Sequence, residues 1–114
     1  MLTEFDRTGD AFRTAAQTLD YRRFLMIVED ELGYSGALQL VLDESASGEK
    51  LVVRLEEGRA PDPATSRRTL LARYAEVAAA VEQDRPLTVR VENVGLADFT
   101  RTRGKLVAVV DRRG

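Results

Sequence analysis

"ALQLVLDESASGEKLVVRLEE", residues 37–57, sets two short apolar runs around a polar turn. Leu38, Leu40 and Leu42 alternate with Gln39, Val41 and Asp43; after "ESASGEK", Leu51, Val53 and Leu55 alternate with Val52, Arg54 and Glu56. Successive side chains of a strand point to opposite faces, so each run offers one apolar face, and a short polar connection folds the two runs into a hairpin.

Helical periods flank that hairpin. Asp20 is placed to cap a helix in which Phe24, Ile27, Val28 and Leu32 recur at spacings of three and four, ending near Gly33. Downstream, "EEGRAPDPATS" is a polar connection, and Asp62-Pro63 is a start signal for a second helix carrying Leu70, Tyr74, Val77 and Val81 on one face, widened by Leu71 and Ala78. Leu87, Val89 and Val91 then alternate with Thr88, Arg90 and Glu92, while "AFRTAAQTL", residues 11–19, is a weaker strand candidate. The order is strand, helix, strand, strand, helix, strand. That is the split βαβ plan, and it predicts an α+β, ferredoxin-like βαββαβ sandwich with two helices over one face of a small antiparallel sheet. Residues 95–114, "GLADFTRTRGKLVAVVDRRG", lie beyond that plan and form a C-terminal loop and short apolar strand.

At 114 residues the chain is expected to be one domain, 1–114, with one modest core, and is too short for a substrate cleft between two full domains. Hydrophobic residues at 44% and charged residues at 32% describe a globular protein, and a formal net charge of −2 sets up no overall field toward nucleic acid or membranes. With no His and no Cys, imidazole bases, thiolate nucleophiles and the usual zinc ligands are excluded. No stretch approaches the roughly 20 apolar residues of a membrane span, and no basic-then-apolar leader opens the chain, so the expected compartment is the cytoplasm.

Of the 17 basic residues only Lys50 and Lys105 are lysines. Lys105 follows Arg101, Arg103 and Gly104 and precedes the apolar run 106–110, in a chain that otherwise uses arginine. Two readings compete for such a position: a solvated lysine placed by chance in a basic turn, and chemistry that needs a compact ammonium on a flexible stem rather than a planar fork.

The surrounding "TRTRGKLVAVVDRR", residues 100–113, resembles the C-terminal end of the phenylacetate-CoA ligases, the aryl-acid branch of the adenylate-forming ligases. Their pattern is Pro-Arg-Ser-Glu-Gly-Lys, an apolar strand and Asp-Arg, and without a gap Arg101, Thr102, Gly104, Lys105, Asp111 and Arg112 fall on it. Those enzymes enter their small C-terminal domain through Gly-Arg-x-Asp-Asp, to which "DRTGD" contributes Arg7 and Asp10 as hinge residues. The resemblance runs from hinge to terminus, and the family's small domain has the same βαββαβ order. It implies that Lys105 reaches into a separate large domain and bridges the acid's carboxylate and the α-phosphate as the acyl-adenylate forms. Arg101, Thr102 and Gly104 would support the lysine loop. ATP and Mg, with CoA or a carrier protein as acceptor, are implied only in complex with that ATP-binding domain, and no cofactor is expected on the chain alone.

Departures fall mainly on the face that those ligases present to the thiol acceptor. Ala16 stands for a glycine, Thr18 for Asn, Tyr21 for Pro, and Phe24-Leu25 for Ile-Glu. A β-carbon at Ala16 would obstruct a pantetheine arm. Gly9 replaces the first hinge Asp, and Thr100 and Arg103 replace the Pro and Glu of the lysine loop. Glu29, Asp30 and Glu31 fan outward from one helix and read as a solvated face rather than a metal site. "SRR" at 66–68 and "DRRG" at 111–114 read as surface, and Tyr21, Tyr34 and Tyr74 as core or rim. Three readings follow: a stand-alone lid supplying Lys105 in trans to a separate ATP-binding ligase domain, a noncatalytic adaptor or regulatory module descended from such a lid, and a piece of a longer ligase. A homodimer would protect the sheet's open face or edge.

Overall fold

The computed structural model describes residues 11–14, 18–45, 48–82 and 87–113. The central hairpin forms as expected: β3, Leu38–Ser45, runs antiparallel to β4, Gly48–Glu56, with Leu38 opposite Leu55, Leu40 opposite Val53 and Leu42 opposite Leu51. These six leucines and valines are buried in one cluster, as the alternation requires. Preceding the pair are two three-residue strands, β1 (Ala11–Arg13) and β2 (Thr18–Asp20), and helix α1 (Tyr21–Leu32).

Asp20 caps α1 by accepting the Arg22 N–H, and Gly33 ends it at φ 64°, a left-handed conformation that glycine takes without a Cβ penalty. Phe24, Ile27 and Val28 face the core. The second helical stretch breaks in two, α2 (Pro63–Arg73) and α3 (Ala75–Val81), because Tyr74 is extended at φ −111° and ψ 93°. Nothing in its composition announces that break. It delivers the Tyr74 ring to 5.0 Å from Phe24 and its hydroxyl to the Asp20 N–H at 2.9 Å, joining the N-cap of α1 to the other helical stretch. Burial pushes the hydroxyl pKa values of both Tyr74 and Tyr34 above the usual phenol range.

Strand β5, Thr88–Val94, lies parallel to β4, with Leu51 beside Val89 and Val53 beside Val91. A 3₁₀ turn at Leu96–Asp98 leads into β6 (Arg101–Thr102), β7 (Lys105–Leu106) and β8 (Val109–Asp111), and β8 pairs parallel to β3. The main sheet therefore has the order β5-β4-β3-β8 and is mixed, not wholly antiparallel. A helical crossover returns the chain to the same end of the sheet, so the strands it joins must be parallel when they become neighbours. The weak N-terminal candidate forms β1 and β2, which pair with each other, Phe12 opposite Leu19, outside that sheet.

Helices and the β1–β2 hairpin cover one face, where Phe12, Leu19, Phe24, Leu70, Tyr74 and Val77 join the sheet's leucines and valines. The opposite face is also closed. Val41, Val52 and Phe99 are buried outside the main cluster, and the fully buried Gln39 bonds to the backbone of the C-terminal segment that crosses this face. The result is three layers in an α+β fold: helices, sheet and C-terminal loop. Among the described residues no helix is long and apolar enough to cross a membrane.

Candidate functional site

Lys105 opens β7 directly after a two-residue turn. Thr102 pairs with Lys105 and Arg101 with Leu106, leaving Arg103 and Gly104 to reverse the chain. Both have positive φ, 55° and 80°, as a type I′ hairpin turn demands. Gly104 meets that demand freely, and a Cβ built on it would touch nothing within 4 Å, so glycine serves the turn's conformation here rather than a close approach. Arg103 adopts the left-handed region with a side chain that disfavours it.

Residues directly opposite on a ribbon share a face, so Thr102 and Lys105 project on one side, Arg101 and Leu106 on the other. Arg101, Thr102, Arg103, Gly104 and Lys105 are all exposed, and Leu106 is half-buried. The structure thus gathers the four expected loop residues in one hairpin and sets Thr102 beside the lysine. Arg101 turns its guanidinium toward the Leu96 carbonyl, at 3.4 Å. Among the described residues the Lys105 side chain has no hydrogen-bond or ion-pair partner. The expected hinge residues Arg7 and Asp10, and Ala16, lie outside the described residues.

What holds this hairpin is a residue whose role the alternation does not reveal. Gln39 Nε2 donates to the carbonyls of Thr100, at 2.8 Å, and Val107, at 2.7 Å; its Oε1 accepts the Thr100 N–H and Arg54 Nη1, both at 3.1 Å. The Val107 N–H also donates to the Thr100 carbonyl at 3.2 Å, closing the hairpin's base. Alternation marks Gln39 as an outward polar residue. The available signal is its setting: a neutral amide with Leu38, Leu40, Val41 and Leu42 around it belongs to a strand buried on both faces, where every polar atom needs a partner.

Farther along, Arg113 is no surface residue. Its guanidinium meets both Asp111 oxygens at 2.9 and 3.0 Å, Glu49 Oε2 at 2.6 Å and the Arg13 carbonyl, so it ties β8 to β4 and to β1. Those hydrogen bonds hold the Asp111 carboxyl below the usual carboxylate range. Arg101, Arg103, Lys105 and Arg112 remain exposed, so the C-terminal layer presents cations although the whole chain is slightly acidic.

Among the described residues no three acidic groups converge on a point that could hold a metal ion, and Glu31 of the acidic helix stretch pairs with Arg73 at 3.3 Å. Chemically, then, the arrangement offers one unneutralised ammonium on a short braced hairpin, facing outward. No family model matches the chain, and no curated protein matches it.

Proposed function

We propose that this chain is the lid of an AMP-forming acyl- or aryl-acid ligase related to the phenylacetate-CoA ligases, supplying Lys105 in trans to a separate ATP-binding domain. The observation that carries the reading is Lys105 itself, exposed and without a partner among the described residues, immediately after a two-residue turn. An ammonium that stabilises its own fold would be paired. One that serves an anion outside the chain stands free, on a support stiff enough to aim it.

The finer architecture belongs to the same proposal. A ferredoxin-like sandwich has the chain order seen here, and its third and fourth strands, joined by the second helical crossover, are held apart by the first strand. With that first strand folded into the β1–β2 hairpin, the strands it would separate become direct parallel neighbours, the relation that β4 and β5 have. ATP, Mg and the thiol acceptor belong to the large domain in this reading. The chain's own contribution is the cation, which meets negative charge crowded between carboxylate and phosphate.

The test is reconstitution. A phenylacetate-CoA ligase truncated before its lid is mixed with the purified chain, and acid-dependent exchange of pyrophosphate into ATP is followed. Exchange by the pair, with neither component active alone, is the expected result. Failure of the chain to raise exchange by lidless ligases that do respond to their own lids would overturn the proposal.

A further inference from the structure

Burying a primary amide costs free energy unless its donors and acceptors are all used. Gln39 is fully buried and uses all of them: two N–H donors and two carbonyl lone pairs. Three of those four bonds go to the main chain at the two feet of the lysine hairpin, Thr100 and Val107. The fourth comes from Arg54, whose Nη1 also reaches the Asp98 carbonyl at 3.4 Å, on the segment leading into the hairpin. The tip beyond these feet is exposed, and Lys105 lies on it.

We infer that Gln39 is the positioning residue of the site: by clamping both feet of the β6–β7 hairpin to the sheet it sets where the Lys105 ammonium stands. A side chain that only filled space at this point could be replaced by another of similar volume. A clamp cannot, because an apolar substitute leaves the Thr100 N–H and the Val107 carbonyl without partners and the Thr100 carbonyl with the Val107 N–H alone, and the feet must lift to reach water. The inference rests on the ligase reading only for what the lysine meets; the clamp itself is a property of the isolated chain.

Two measurements on that chain test it. Gln39→Met keeps the volume and removes the amide, while Gln39→Asn keeps the amide but draws it back by one methylene, which guards against a Met variant that does not fold. Amide hydrogen exchange at Thr100 and Val107 should accelerate by on the order of 10-fold or more, while the amides of residues 51–55 in β4 stay as protected as before. Because the sequence has no cysteine, Lys105→Cys and Ala72→Cys accept two spin labels cleanly, one on the hairpin and one on α2. The distance distribution between them should be narrow with Gln39 and broad without it. An unchanged distribution, with unchanged exchange at Val107, would overturn the inference. In an active reconstituted pair, Gln39→Met should lower pyrophosphate exchange, but not further when Lys105→Ala is already present. An equal loss in both backgrounds would show that Gln39 acts on the fold and not through the lysine. If the hairpin loosens in the isolated chain while no pair is active, the clamp stands and the ligase reading falls.

Discussion

Gln39 and Thr100 exchange two hydrogen bonds across 61 residues of chain: the amide oxygen accepts the Thr100 N–H, and the amide nitrogen donates to the Thr100 carbonyl. Only a residue with a backbone N–H can complete this exchange. Proline, which stands at this place in the ligases that the segment resembles, could supply the carbonyl alone.

Thr100→Pro should therefore cost stability without disturbing the chain on either side. Phe99 already sits at φ −72° and ψ 138°, the extended region that a residue before proline adopts, so the preceding backbone accepts the change. What is lost is one bond to a buried acceptor, about 1 kcal/mol. Urea unfolding of the two proteins measures it. Equal midpoints would mean that the Thr100 N–H contributes nothing, and that Arg54 alone satisfies the amide oxygen.

The hairpin turn offers an independent handle. Gly104 at φ 80° stands in open space, so Gly104→Ala meets no clash and its cost is conformational only, about 1 kcal/mol. Arg103, at φ 55°, is under the opposite condition. Arg103→Asn places at that position a residue that tolerates the left-handed region, and should raise stability by several tenths of a kcal/mol. Thermal unfolding should rank Arg103→Asn above the parent and Gly104→Ala below it. The reverse order would remove the type I′ turn as the feature that orders this loop.

Much of the fold was legible because it rests on periods. The alternation in residues 38–42 and 51–55 marks the strands β3 and β4 and their core-facing residues, and Asp20, Gly33 and Asp62-Pro63 mark helix ends where they occur. What was not legible depends on contacts made at a distance. Tyr74 interrupts the second helical stretch where no glycine or proline calls for it, because its ring and hydroxyl are used by Phe24 and Asp20. Strand pairing likewise is not set by the periods: β8 takes the edge of β3, and β1 pairs with β2. In the candidate site, the cluster of residues 101–105 could be placed on a loop from the sequence alone. The brace beneath it could not, since Gln39 looks like any outward polar residue until the second face of the sheet is seen to be covered.

The Asp111–Arg113 pair makes stability depend on pH with a definite sign. Arg113 holds the Asp111 carboxyl below its ordinary value, so the folded state binds that proton more weakly than the unfolded chain does. The contribution is complete above the unfolded value of about 4 and is lost as pH falls through the lower folded value. Asp111→Asn should flatten the acid limb of the stability profile and leave its neutral plateau slightly lowered. Because Arg113 also holds Glu49 and the Arg13 carbonyl, Arg113→Met should lower the plateau itself. Urea midpoints measured from neutral pH to about pH 2 separate the two variants. An acid limb in Asp111→Asn as steep as the parent's would assign the effect to other carboxylates.

Lys105 allows the sharpest separation of fold from chemistry. Its side chain is exposed and bonds to no described residue, so Lys105→Ala should leave urea and thermal unfolding within about 0.5 kcal/mol of the parent. In an active reconstituted pair the same change should slow adenylation by on the order of 100-fold, because removing one preorganised donor from developing negative charge raises a barrier by about 2.7–4 kcal/mol. Lys105→Arg is the discriminating variant. It keeps the charge at an exposed strand position, but exchanges a compact ammonium for a planar fork that seeks two acceptors at fixed spacing. If the lysine acts as a point charge between carboxylate and phosphate, arginine recovers little of the lost rate. If it contributes only a positive field at the docking surface, arginine restores exchange almost fully, and the salt dependence of pair formation rather than the exchange rate should change in Lys105→Ala. Pyrophosphate exchange at saturating chain concentration, set beside the chain concentration needed for half-activation, distinguishes the two. A loss confined to half-activation would move Lys105 from the reacting atoms to the interface.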